Sequence, residues 1–193
     1  FDINHLGQKK VIIAKQKAKL CNPMINVNSY DERLTSKNAL TIIKDYDCVV
    51  DGTDNFPTRY LINDACILLD KPFVYGSVYR FEGQVSVFNF KNKDGDYGPN
   101  YRSLYETPPP PDTIPNCAEG GVLGVLPGII GTLQATEVLK IITGVGEPLS
   151  GKLLMVDVLI NQNHLIPILR RDGDRDIKNL IDYESFCGLK NNN

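Results

Sequence analysis

Apolar positions along this chain recur in two rhythms, one helical and one with period two, and their order predicts a layered α/β protein. Between Lys10 and Leu20, Val11, Ala14 and Ala18 form a helical stripe among lysines. Asn22-Pro23 stops that helix, and Ile25 to Tyr30 alternates as a half-buried strand would. Thr35 or Ser36 suits the cap of a second helix reaching about Lys44. Cys48, Val49 and Val50 read as a short buried strand, followed at once by the turn formers Asp51, Gly52, Thr53, Asp54 and Asn55. Pro57 fits the first turn of a helix continuing from Thr58 to Leu69, and Phe73 to Val78 reads as the next strand. Such alternation predicts a parallel sheet with helices on its faces.

The pattern then changes. Gly83 to Phe90 has period two, as in a strand with one wet face. Residues 91–116 lack periodicity and lead through consecutive prolines at 108–111, which predicts an extended or mobile crossover loop. From Gly121 a glycine-punctuated apolar segment enters a helix ending near Gly144, with Glu137 and Lys140 on its polar side. Lys152 to Leu159 and His164 to Leu169 read as an antiparallel pair. Arg170 to Asn193 is polar and reads as a tail or linker, leaving 1–169 as the folded body.

Composition narrows the function classes. The 193 residues are 42% hydrophobic and 23% charged, with a net charge of −2. This is an ordinary globular balance with no nucleic-acid or anionic-membrane preference. The five cysteines (21, 48, 66, 117 and 187) are scattered, with no Cys-x-x-Cys pair, which argues against a disulfide framework and fits a reducing compartment. The apolar run 122–133 is interrupted by glycine and proline and is too short to span a bilayer.

Four clusters carry candidate chemistry. Gly7-Gln8-Lys9-Lys10 sets a lysine at a helix opening, against the helix dipole; it is either a solvated surface lysine or a phosphate contact. Asp51-Gly-Thr-Asp-Asn55 lies beyond a strand's carboxyl end, the rim where open α/β sheets bind ligands. There Asp54 either holds a phosphate-bound metal or, like Asn55, caps the helix. Arg59, one turn on, can pair with phosphate or with Asp64 in a surface ion pair. Arg80-Phe-Glu-Gly-Gln84 is by itself a strand-edge turn. Cys117, shortly before a helix, is the best nucleophile candidate among the cysteines, against the plain reading of a small buried hydrophobe. Cys48 and Cys66 read as structural. Neither Gly-x-Gly-x-x-Gly nor a Walker-type phosphate loop occurs in the chain.

In this order the clusters are far more specific than any one alone. Gly-Gln-Lys-Lys (7–10), Asp-Gly-Thr-Asp-Asn-Phe-Pro-Thr-Arg (51–59), Asn63-Asp64 and Arg-Phe-Glu-Gly-Gln-Val (80–85) resemble the ubiquitin-activating-type (HesA/MoeB/ThiF) adenylyltransferases. So do Cys-Ala-Glu-Gly-Gly-Val-Leu-Gly (117–124) and Gly-Ile-Ile-Gly-Thr-Leu-Gln-Ala-Thr-Glu (128–137). The nearest branch is molybdopterin-synthase adenylyltransferase, with its thiamine-pathway relative. The resemblance runs from about Leu6 to Leu159. It implies a Rossmann-like, mostly parallel sheet extended by antiparallel strands, in the C-terminal part of an adenylation domain whose glycine-rich nucleotide loop lies upstream. It further implies that ATP and Mg²⁺ activate the Gly-Gly carboxylate of a small ubiquitin-like sulfur carrier, as in molybdenum cofactor biosynthesis, and that the protein is a homodimer. By motif position Lys10 would contact the ATP phosphates, Asp54 would hold Mg²⁺, Asn55 would lie beside the nucleotide and Arg59 would assist. Cys117 matches a cysteine some relatives use for a thioester or persulfide step.

One departure bears on metals. Close relatives of this family hold structural zinc with two Cys-x-x-Cys pairs; here Asn100-Tyr-Arg-Ser103 stands at the first, and near the end Cys187 alone remains. Four ligands are needed, so no zinc is expected. The expected compartment is cytoplasm, or plastid stroma. Two rivals remain: a non-catalytic scaffold of the same fold that binds the carrier, and a nicotinamide-dependent dehydrogenase of the same topology, which lacks its glycine fingerprint here. The fragment on its own is expected to be inactive.

Overall fold

The structure is a computed structural model describing residues 1–110 and 120–189. It falls into two compact units, Phe1–Leu34 and Thr35–Asn193. In the first, a 3-10 turn at Ile3–His5 leads to helix α1, Lys10–Cys21. The buried residue of α1 is Ile13 rather than Ala14, so the apolar stripe is rotated from its expected position. Residues 25–30 do not form the expected strand: Val27 and Ser29 are half-buried between exposed neighbours, but no ladder partner lies beside them among the described residues. Alternation alone prescribes which side chains share a face; a strand also needs a second backbone to bond.

The second unit opens with α2 (Ala39–Ile43), started by the Thr35 carbonyl accepting from the Ala39 N–H at 2.9 Å. Strand β1 (Val49–Val50) follows, then α3 (Phe56–Leu68), β2 (Phe73–Tyr79), β3 (Glu82–Phe88) and the one-turn α4 (Tyr101–Leu104). Helix α5 (Leu126–Thr143) ends on Gly144, whose φ of 68° suits a residue without Cβ. Strands β4 (Lys152–Asp157) and β5 (Gln162–Pro167) and the short α6 (Tyr183–Phe186) complete it.

The sheet order is β1-β2-β3-β4-β5. The α/β sheet with an antiparallel extension is present, but its balance differs from a mostly parallel one: β1 and β2 pair in parallel, and the other three ladders are antiparallel. The short Tyr79–Glu82 and Asp157–Gln162 connections impose two of these ladders, since a tight turn can join only antiparallel neighbours.

Register assigns each face of the central strands to a helix. Gly76 pairs with Val85, and with Val78 and Gly83 these residues face α5, where Val85, Leu126, Ile130 and Val156 form a buried cluster. Phe73, Tyr75 and Phe88 point the other way and stack on one another, Tyr75 and Phe88 also meet the Tyr101 ring, and Tyr60 of α3 meets Tyr101 at 5.0 Å. This aromatic layer covers the face of β3 that was expected to be wet, so both faces of β3 are buried over most of its length.

The polar stretch from Arg170 is no solvated tail. Tyr183 is buried and donates to Asp64 Oδ2 at 2.7 Å, Phe186 packs on Tyr60 at 5.3 Å, and the Asp174 carbonyl accepts from Asn100 Nδ2 at 3.0 Å. Its polarity conceals partners: Arg171 pairs with Glu106 at 2.6 Å and Arg175 with Asp70 at 3.0 Å. The crossover also has local order, since Asn100 and Ser103 close a capping box around α4 and Ser103 bonds Asp174. Glu137, expected on a polar face, is only 3% exposed and is satisfied by Lys140 at 2.6 Å and the Leu149 N–H at 2.8 Å.

Candidate functional site

The chain leaves β1 at Asp51 and turns through Gly52, Thr53 and Asp54 into α3. Asn55 is the N-cap, its side chain accepting from the Thr58 N–H at 3.0 Å, with Pro57 in the first turn. Of the two capping readings, then, the structure gives the cap to Asn55. Asp54 beside it is exposed, and Asn55 Nδ2 lies 3.5 Å from its Oδ1. An acidic side chain is thus presented at the carboxyl end of a strand, next to the amino end of a 13-residue helix. That is where an anionic ligand and its counter-cation find both a dipole and a carboxylate.

Beneath this exposed pair lies a buried frame. Asp51 Oδ1 accepts from the Thr53 N–H and Thr53 Oγ1, both at 2.7 Å. Arg59 is 8% exposed and points inward. Its Nε lies 3.2 Å from Asp51 Oδ2, while Nη2 donates to the Thr53 carbonyl at 2.8 Å and to the Gly76 carbonyl at 3.3 Å, and Nη1 donates to Ser77 Oγ at 3.0 Å. The surface pair with Asp64 is therefore replaced by a buried pair with Asp51, because the first turn of α3 faces the sheet rather than solvent. Burial pushes the Asp51 carboxyl above the usual carboxylate range, outweighing Arg59 and the Thr53 donors. Burial works against the Arg59 charge as well, but Tyr75 and Asp51 hold it above its ordinary value.

The opposite face of the sheet contributes Gln134 of α5, whose Nε2 donates to the Asp51 carbonyl at 2.7 Å and to the Val74 carbonyl at 3.3 Å. The loop's first residue is gripped from both layers. Asp51 and Gln134 lie inside motifs quoted from the sequence but were given no role there, and Ser77 was not singled out. A lone amide among the apolar residues of α5 was the available signal for Gln134.

Lys10 belongs to the first unit. It is the first residue of α1 and is exposed, with Lys9 at the N-cap position paired to Asp31. Lys9, Lys10, Val11 and residues 30–33 line an open depression of about 460 Å³. Cys117 lies outside the described residues. Cys66 and Cys187 are buried, and burial raises both thiols, Cys187 to about 11. Asn63-Asp64 faces inward: Asn63 Oδ1 accepts from the Tyr101 N–H at 2.8 Å, and Asp64 receives Arg102 through two bonds of 2.8 Å each.

Among the described residues no group of three or more His, Cys, Asp or Glu is placed to hold a metal, and no helix is long and apolar enough to cross a membrane. A Mg²⁺ site does not require such a group, because this ion is commonly bound by one carboxylate with water and substrate phosphates. The exposed Asp54 fits that mode.

An α/β sheet with an acidic βα turn at the carboxyl end of a strand is an arrangement that binds ligands at its rim, and comparison with known proteins narrows it. The ThiF family pattern matches residues 1–176, and the chain belongs to that family. It is 47% identical to the sulfur carrier protein adenylyltransferase of Thermus thermophilus over 98% of this chain and 72% of that protein. It is 47% identical to the adenylyltransferase/sulfurtransferase MoeZ of Mycobacterium tuberculosis over 95% of this chain and 47% of that one. For the adenylyltransferase and sulfurtransferase MOCS3 of Xenopus laevis the identity is 44%, over 96% and 42%. The chain thus spans under half the length of the MoeZ and MOCS3 relatives. In fold it resembles E. coli MccB, with a TM-score of 0.72 at 16% identity over 89% of this chain and 52% of that one. The homologues are named adenylyltransferases, which agrees with the expected family and activity class.

Proposed function

We propose that the protein containing this chain uses ATP to adenylylate the C-terminal Gly-Gly carboxylate of a small ubiquitin-like sulfur carrier, of the molybdopterin-synthase or thiamine-pathway kind. The observation that carries this reading is the 47% identity, across 98% of the chain, to a sulfur carrier protein adenylyltransferase. The exposed Asp54 on its buried frame supports it. In the reaction a carboxylate oxygen of the carrier attacks the α-phosphorus of ATP. A C–O–P linkage forms, the bond to the bridging oxygen breaks, and pyrophosphate leaves with the electron pair.

The protein's part is positioning and charge. Asp54 holds Mg²⁺, which when bound neutralises charge on the phosphate oxygens. Lys10 contacts the phosphates from the first turn of α1, and Asn55 lies beside the nucleotide while capping α3. Arg59 acts from below, by fixing the loop rather than touching phosphate. Cys117 serves a later thioester or persulfide step. The outward face of α5, with Ile129, Leu139 and Ile142 exposed and the exposed Val125 just before it, supports assembly as a homodimer. The free thiols among the described residues support a reducing compartment, cytoplasm or plastid stroma.

ATP–pyrophosphate exchange by the full-length protein, with and without a Gly-Gly-ended carrier, tests the reading. Carrier-dependent exchange that collapses in Asp54→Ala supports it. A folded wild type without exchange on any carrier overturns it in favour of a carrier-binding scaffold.

A further inference from the structure

We infer that Gln134 is a positioning residue for the acidic loop 51–55, setting where Asp54 stands for Mg²⁺–ATP; this rests on the adenylyltransferase reading above. Parallel pairing of β1 with β2 ends at Val50–Val74. Asp51 still donates to the Val74 carbonyl at 2.9 Å, and from there the chain departs into the loop. At that point of departure the Gln134 carboxamide takes the place of a further rung, donating to both Asp51 and Val74 carbonyls. Asp51 is thereby fixed through its backbone from the α5 side and through its carboxylate from the α3 side, by Thr53 and Arg59.

The fit is specific. Gly76 carries the carboxamide directly on its face: a Cβ at this position would overlap Gln134 Cδ, Nε2 and Oε1 together. Gln134 is itself 7% exposed, so both of its N–H bonds are made away from competing water. A buried amide whose N–H bonds go to the backbone where the acidic loop leaves the sheet has the geometry of an outer partner that orients a ligand. Such partners are typically worth about 10–100-fold in metal affinity or activity.

The test uses the full-length protein and three variants: Gln134→Leu, Gln134→Glu and Gly76→Ala, the last pushing the carboxamide off its seat. Wild-type exchange is measured first, because its absence with every carrier overturns the adenylyltransferase reading itself. With wild type active, Gln134→Leu is expected to raise the Mg²⁺ concentration for half-maximal exchange by about 10-fold or more, with the carrier KM unchanged. Gly76→Ala is expected to shift it in the same direction. Gln134→Glu is expected to be impaired at neutral pH and to recover as pH falls, because a protonated carboxyl can donate one of the lost bonds. Hydrogen exchange without ligand supplies a readout besides activity: residues 51–55 exchange faster in Gln134→Leu while the middle of α3 keeps its protection. A wild-type Mg²⁺ dependence and wild-type loop protection in folded Gln134→Leu overturn the proposal. Failure of all three variants to fold overturns it too, leaving Gln134 a purely structural residue.

Discussion

Helix α3 carries two buried arginine–carboxylate pairs, and they differ in how completely each is satisfied. Arg102 meets Asp64 with two parallel bonds of 2.8 Å, and Tyr183 and Asn63 donate to the same carboxylate at 2.7 and 3.0 Å. Every partner in that corner is protein, and the result is a staple joining α3, α4 and α6. Arg59 faces Asp51 through Nε alone. Although 3.2 Å apart, Asp51 Oδ2 and Arg59 Nε make no hydrogen bond of good geometry among the described residues. Arg59 spends its remaining donors on the carbonyls and hydroxyl around the loop. One pair locks a structure closed, while the other supports a loop whose far end stays open to a ligand.

Breaking each corner separately is the way to test that contrast. Arg102→Ala leaves a buried carboxylate unpaired and is expected to destabilise by about 3–5 kcal/mol. Activity per folded molecule should survive, as read by chemical denaturation alongside exchange assays; a matching loss of specific activity would merge the two corners into one. Asp54→Ala should do the opposite, lowering exchange by at least about 100-fold with an unchanged melting temperature. The docked C-terminal segment gives a gentler probe. Cys187 is buried with its thiol raised to about 11, so only about one part in ten thousand is thiolate at neutral pH. Its folded-state alkylation should run at least about tenfold slower than that of exposed Cys21 and climb with pH toward 11; equal rates would show the segment undocked. The smallest effect belongs to the cap. Asn55→Ala should cost about 1 kcal/mol, and a larger loss of exchange than of stability would show Asn55 working beside the nucleotide as well as on the helix.

Much of the fold was legible before any coordinates. The helices α1, α3 and α5 and the strands from β1 to β5 fall close to where period and punctuation put them, because Pro57, Asn22-Pro23 and Gly144 act locally on the backbone. What was misread depended on neighbours. Residues 25–30 have a strand's alternation and no partner ladder. Strand β3 has a polar face that an aromatic layer covers. Glu137 looks like a surface charge and is enclosed with Lys140 and the Leu149 N–H.

The candidate site divides in the same way. Motif order alone picked out Lys10, Asp54 and Asn55, and the turn between a β-branched strand and a proline-opened helix put Asp54 at a sheet edge. The sequence by itself determined most of the elements, the acidic turn and the family, since elements and turn are written in adjacent residues and the family in the order of short motifs. Tertiary structure alone decided that Arg59 turns inward to Asp51, that Gln134 crosses from α5 to hold the same residue, and that the polar C-terminal stretch is spent on Asp64 and Asn100. Those outcomes join positions up to 119 residues apart, and a buried polar group takes whichever partner the packed layers bring within about 3 Å.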